Sequence, residues 1–288
     1  MHMDYDLELP DRLDDALGIL AAPGDRRIAP LAGGTNLIVD MRAGRERPEL
    51  VVSLDRIDAL RGIERTGTGV SIGGRTTVSD LLRAAEVAET APALAAAANV
   101  FAGRMVRNAA TVGGNIACGS PAADLVPPLL ALDAEVTLTS TSGTRTVALD
   151  DYYQGYKEDI RRGDELIAAI SWDRPPDRSA SLFYKLARRK GDAITITGVA
   201  VTLCAADGVC SRARIALGAV APTVLRAKAA EAVLEGEALT PELIAAAARQ
   251  AAEESAPIDD VRASADYRRH TTETLTRRLI GRAWEQVG

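Results

Sequence analysis

Histidine is nearly missing from this chain of 288 residues: His2 and His270 are the only two, and both lie near the ends. That scarcity excludes a Ser–His–Asp relay and a zinc site built from the chain's own side chains. Cysteine is scarce too. Cys118, Cys204 and Cys210 are too few and too scattered for a disulfide framework, no CxxC pair exists, and a reducing cytoplasm fits. No apolar run approaches the ~18 residues a membrane span needs. The opening MHMDYDLELP lacks the basic stretch followed by an apolar one that marks a signal peptide. A net charge of -6 removes the basic footprint of a nucleic-acid-binding protein. If the chain serves catalysis, something bound carries the difficult chemistry.

What is present is enough for a packed core, with 47% apolar and 26% charged residues, and the length suits two domains. Residues 12–22 read as a short amphipathic helix ended by Pro23-Gly24. An apolar segment follows, then a turn at Gly33-Gly34, a helix whose first turn holds Thr35 and Asn36, and a compact strand at 50–54. GVSIGGRT (69–76), with Gly67 before it, reads as a hairpin edge leading to one helix from Thr77 through the SDLLRAAEVAE stretch; an alanine-rich helix covers PALAAAANVFAG. Two strands meet at Ser142-Gly143. The prolines of WDRPPDRS (172–179) form a linker, after which alternating strands with a turn at Asp207-Gly208 give way to two helices, an α+β second domain. Alternation sets Tyr184 opposite Lys185, pointing Tyr184 into the core; Trp172 and Trp284 read as packing residues. The one basic cluster, Arg188-Arg189-Lys190, is either a solvated loop or a contact for a phosphate or partner.

Two glycine doublets stand apart from ordinary turns. Ala32-Gly33-Gly34-Thr35-Asn36 sits at a strand-to-helix turn, where glycines let successive N–H groups converge on an anion. A plain tight turn is the alternative. Thr111-Val112-Gly113-Gly114-Asn115 repeats the design, with a hydroxyl and an amide beside the glycines and Asp124 nine residues on. A carboxylate there suits ribose hydroxyls better than phosphate. Two such loops suit a diphosphate-bridged dinucleotide. Gly67, Gly69 and Gly73 imitate a nicotinamide fingerprint, but the sequence around them reads as a hairpin, without the strand before and helix after.

The stretches AGGTNLIVDMR, FAGRMVRNAATVGGNIACGSPAADLVPPLLALDAEV, DELIAAI and FYKLARRKGDAITITGVAV occur in one order and cover most of the chain. In these the chain resembles the FAD-binding medium subunit of the molybdenum hydroxylases, the group of carbon monoxide dehydrogenase and xanthine dehydrogenase. The resemblance implies an α+β fold: a two-part FAD-binding domain of the PCMH/vanillyl-alcohol-oxidase type over 1–175 (parts 1–56 and 57–175), then a smaller C-terminal domain over 179–288. It implies that Ala32, Gly33, Gly34, Thr35 and Asn36 wrap the diphosphate through main-chain amides, and that Thr111, Gly113, Gly114 and Asn115 contact the diphosphate and ribityl chain. Asp124 would hold sugar hydroxyls. Ile167, or its neighbour Leu166, would pack on the adenine or flavin edge, Phe101 against the flavin ring, and Lys185 would reach the ring's polar end. For Phe101 and Lys185, core packing and a surface position are the alternatives.

By the same resemblance, the chain is an electron-transfer subunit: electrons come from a molybdopterin centre on a large subunit through [2Fe–2S] clusters on a small one, reach FAD here, and leave to an external acceptor. A dimer of heterotrimers is implied. Two departures matter. Gly191-Asp192 is followed by Ala193 and Ile194 where the carbon monoxide dehydrogenase branch has an aromatic, and the cysteine-bearing insertion of the 4-hydroxybenzoyl-CoA reductases is missing, leaving Cys118 alone. The rival readings are a stand-alone flavin oxidoreductase of the same fold and a scaffold without cofactor. Neither the organic substrate nor the acceptor is written in this chain.

Overall fold

The computed structural model describes residues 4–287; His2 lies outside them. The amino-terminal unit is a three-stranded parallel sheet, with Leu50–Ser53 between Asp6–Glu8 and Ile28–Leu31. Leu50–Ser53 is buried along its whole length, as a central parallel strand must be. The helix Leu13–Ala21 covers the sheet with Ala16, Leu17 and Leu20, one face at helical spacing.

Next comes a five-stranded antiparallel sheet that joins distant segments: Ile63–Arg65, Gly69–Gly73, Leu166–Asp173, Glu135–Ser140 and Gly143–Ala148, in that spatial order. The Gly67–Gly73 segment is thus a hairpin, as its sequence suggested. Five short helices between residues 78 and 117, and a sixth at Val126–Leu130, pack on this sheet around Leu94, Ile116 and Leu129, all fully buried. The single helix expected from Thr77 onward is two: Val78–Leu81, capped by Thr77 and Asp80 in a reciprocal box, and Ala85–Thr90, with Ala84 extended between them. Buried Trp172 donates its indole N–H to Thr90 Oγ1 at 3.1 Å, so it packs as expected.

The C-terminal unit is a four-stranded antiparallel sheet, Ser179–Ala187, Thr195–Ala206, Val209–Gly218 and Leu225–Arg226. Asp207 (φ 51°) and Gly208 (φ 80°) make its tight hairpin, both in the left-handed region such a turn demands. One face of Thr195–Ala206 (Val199, Val201, Leu203) packs under the helices Lys228–Leu234, Pro241–Glu254 and Ala265–Val287. On the other face, Ala200 and Ala216 join the core of the first domain. Two-sided burial accounts for a strand with eleven consecutive buried residues. Across the same seam Asp133 accepts from Arg214 and Arg226, at 2.8 and 2.7 Å. Partly buried Trp284 packs against the helix-covered core. Tyr184 departs from expectation: it is exposed, while the Lys185 side chain is buried.

Candidate functional site: a cavity between two glycine loops

The strand Ile28–Leu31 ends at Ala32, and Gly34 turns the chain with φ 68° into the helix Leu37–Arg42. This is the carboxyl end of a parallel strand, where open α/β sheets bind ligands. Among the described residues, the N–H groups of Gly33, Gly34, Thr35 and Asn36 donate to no acceptor in the protein. Asn36 is held by its side chain, which donates to Asp40 Oδ2 at 2.9 Å, and Asp40 in turn is clasped by Arg45. The following helix is only six residues long, so little macrodipole is added; the free amides carry the positive potential.

The second loop lies directly against the first. A Cβ on Gly33 would fall 1.8 Å from the Ala109 carbonyl oxygen, so the two backbones touch only because that position is glycine. Thr111 caps the short helix Val112–Ala117 by accepting from the Gly114 N–H at 3.1 Å. Here the structure corrects the expectation of exposed amides at both doublets. The Gly113 N–H donates to Gly74 O at 2.9 Å, the Asn115 N–H to Thr111 O, and the Gly114 N–H to the capping hydroxyl. What Gly113 supplies is close approach: its Cβ would sit 2.6 Å from Gly74 O, and a Cβ on Gly74 would sit 2.1 Å from Ile167 O. Three backbones are thus stacked beside the cavity, with a bulge between Ile167 and Ala169 that re-aims the strand.

The loops enclose a cavity of about 580 Å³, inside the range of small-molecule sites. It brings together Ala32, Gly33, Gly34, Thr35, Asn36, Phe101, Thr111, Gly113, Gly114, Asn115 and Ile167, with Leu166 beside the last. Phe101 is half-buried at the rim, on a turn pinned by Arg107, whose guanidinium donates to the Phe101 and Ala102 carbonyls at 2.9 and 3.1 Å.

Asp124 and Lys185 lie outside the lining of this cavity and pair with each other. Lys185 Nζ donates to Asp124 Oδ2 at 2.6 Å, both side chains are buried, and Thr195 donates to the other carboxylate oxygen. Burial pushes the Asp124 carboxyl above its ordinary range, opposed by Lys185 and Thr195. The two charges compensate each other across the domain seam. Asn115 ties that pair's segment to the site, its Oδ1 accepting from the Leu125 N–H.

Sequence reasoning missed Gly74 and Arg75. Arg75 lines the cavity, is almost fully buried, and is paired with exposed Asp55 at 2.6 Å; Lys157 and Arg161 add further cations, against Asp40 and Glu46. The signal was present as a third glycine doublet, Gly73-Gly74, followed by arginine, but its hairpin context hid it. Cys118 also lines the cavity, and burial raises its thiol, so it is a neutral wall there. Among the described residues no group of histidine, cysteine, aspartate and glutamate side chains could hold a metal, and no helix is long and apolar enough to cross a membrane.

Free amides at the end of a parallel strand, a bare second loop and a buried arginine around one cavity make a site suited to a phosphate-bearing ligand, in a domain joined to an α+β second domain. The family follows from comparison with known proteins. The FAD binding domain in molybdopterin dehydrogenase matches residues 3–172, and the CO dehydrogenase flavoprotein C-terminal domain matches residues 182–283. The chain belongs to this family of FAD-binding subunits of molybdenum-hydroxylase oxidoreductases. It is 33% identical to the carbon monoxide dehydrogenase medium chain of Hydrogenophaga pseudoflava over 97% of both chains. It is 31% identical to the xanthine dehydrogenase FAD-binding subunit of Escherichia coli O157:H7, over 96% of this chain and 94% of that one. Among solved structures it matches the carbon monoxide dehydrogenase of Hydrogenophaga pseudoflava with a TM-score of 0.96 and 34% identity over the whole of both chains. It matches the quinoline 2-oxidoreductase of Pseudomonas putida 86 with a TM-score of 0.91 and 27% identity over 99% of both.

Proposed function

We propose that this chain is the electron-transfer subunit of a molybdenum hydroxylase, receiving electrons from [2Fe–2S] clusters on a small partner and passing them to an external acceptor. A large molybdopterin subunit would hydroxylate the organic substrate, the three chains pairing as a dimer of heterotrimers in the cytoplasm. Residues 1–175 would form the flavin domain, in parts 1–56 and 57–175, and residues 179–288 the domain that closes over it.

The single observation that carries the reading is the row of four unpaired N–H groups, Gly33 to Asn36, facing the bare second loop across one cavity. These residues fit FAD. The free amides would hold the diphosphate, with the buried Arg75 guanidinium adding charge. Thr111, Gly113, Gly114 and Asn115 would lie along the ribityl chain, offering shape, a carboxamide and a hydroxyl. Phe101 and Ile167, both apolar on the cavity wall, would exclude water from the rings. The Asp124–Lys185 pair would position the second domain against the segment carrying Asn115. FAD, when bound, supplies the two-electron redox chemistry; the protein supplies binding, orientation and field.

The chain purified alone is expected to carry flavin, seen by its visible absorbance, and to turn over no organic substrate. Co-purification of a molybdenum subunit from the native host completes the test. Turnover by the isolated chain would favour the stand-alone oxidoreductase instead, and a colourless chain that takes up no FAD would favour the scaffold.

A further inference from the structure

The basic run Arg188-Arg189-Lys190 is left unused by the site just described. It forms the tip between the strands Ser179–Ala187 and Thr195–Ala206, and all three side chains are exposed. The tip lies at the rim of the cavity. The Asp192 carboxylate sits 2.8 Å from where a Gly103 Cβ would be, and Gly103 follows Phe101 and Ala102, which line the cavity. Arg104 adds a fourth exposed cation. Among the described residues none of these four enters an ion pair; Arg188 donates only to Val261 O and Arg189 only to Asp192 O. Asp192 is the one acid within the tip; the Val261 segment adds Asp259 and Asp260, but Asp260 is taken up by Arg262 and Arg268 and Asp259 accepts from the Ala265 N–H, so the four cations stay uncompensated in a chain whose net charge is -6.

The cations surround apolar side chains left in water. Met105 and Val261 are each 87% exposed and Ile194 is 54% exposed, on the three segments that meet here. A small anion is bound by donors converging in a concave pocket. Exposed, separate cations around bare apolar side chains instead match a protein surface with acidic groups around an apolar spot.

Resting on the function proposed above, we infer that this rim is the docking surface for an acidic, one-electron redox protein that takes electrons from the subunit. The exchange balances with two acceptor molecules. The reduced flavin gives up two electrons and two protons; each acceptor gains one electron, and the protons leave to water.

The test uses the complex purified with all its subunits, its flavin content read first and its flavin reduced before mixing. Stopped-flow reoxidation is followed with an acidic blue-copper protein, a basic c-type cytochrome and a neutral short-chain quinone. At low ionic strength the acidic acceptor is expected to react on the order of 10-fold faster than the basic one, the advantage fading as salt rises. The triple variant Arg188→Glu, Arg189→Glu, Lys190→Glu should reverse that order and leave the quinone rate and flavin content unchanged. Single substitutions at the same positions should each give part of the effect, which guards against misfolding of the triple variant. An acceptor preference untouched by the charge reversal would overturn the inference. So would an equal loss of quinone rate, since the tip would then belong to the flavin site itself. A wild-type complex without flavin would count against the proposed function and not against the docking surface alone.

Discussion

Replacing Gly33 with alanine tests how the two loops cooperate. The added methyl would lie 1.8 Å from Ala109 O and 2.6 Å from its carbonyl carbon, both backbone atoms that cannot swing aside. Restoring that contact to about 3.0 Å requires the loops to part by about 1.2 Å. Overpacking of this kind costs roughly 1–3 kcal/mol. The shift moves the free amides of Gly33 to Asn36 relative to the opposite wall, so much of the cost falls on the bound form. At about 1.4 kcal/mol per decade, FAD affinity should weaken by about 10- to 100-fold. Apoprotein titrated with FAD, followed by quenching of flavin fluorescence, measures the change; a thermal melt of the same apoprotein separates loss of fold from loss of affinity. Gly163→Ala is the control: nothing lies within 4 Å of its would-be Cβ. If Gly33→Ala bound FAD as tightly as Gly163→Ala, the contact between the loops would have no bearing on the cofactor.

Three further expectations follow from the same geometry. Lys185→Met leaves the buried Asp124 carboxylate without its counter-charge, a loss of about 3–5 kcal/mol at neutral pH by chemical denaturation. Adding Asp124→Leu should recover a large part of it, and no recovery would refute the pairing as the cause. Glu165, beside the cavity residue Leu166, is held at about 2, chiefly by its hydrogen bond from Arg145 and also by the Arg162 N–H. A carboxyl depressed in the folded state stabilises above its ordinary value of about 4.3 and loses that contribution as pH falls toward 2. Glu165→Gln should therefore be destabilised by roughly 3 kcal/mol at pH 7 and progressively less below pH 4, and a pH-independent difference would contradict this. Arg75→Met keeps the packing and removes the charge, so FAD affinity should drop about 10-fold and grow less sensitive to salt; an unchanged salt dependence would place the guanidinium away from the diphosphate.

Much of this was legible along the chain, because local rules decide it. The Asp207-Gly208 hairpin answers to its immediate neighbours, and the continuous apolar run at Leu50–Ser53 and the two glycine doublets stand out in the local sequence whatever they later pack against. Long-range contacts hid the rest. Nothing near Gly113 says that its N–H will be spent on Gly74, 39 positions earlier, nor does Lys185 announce that it will pair with Asp124, 61 positions away. Tyr184 and Lys185 followed strict alternation but with the faces exchanged, since the buried ion pair claimed the inner position. Arg75 was hidden by a turn that looked ordinary, and only the fold brings that turn to the loops.

The central claim is that the amide row from Gly33 to Asn36 grips the diphosphate of FAD, with the second loop serving as the bare wall opposite. A crystal structure of the FAD-loaded chain tests it most directly. Diphosphate oxygens should lie about 2.7–3.2 Å from several of those four nitrogens. FAD seated elsewhere, or with its diphosphate turned away from Gly33 to Asn36, would contradict it.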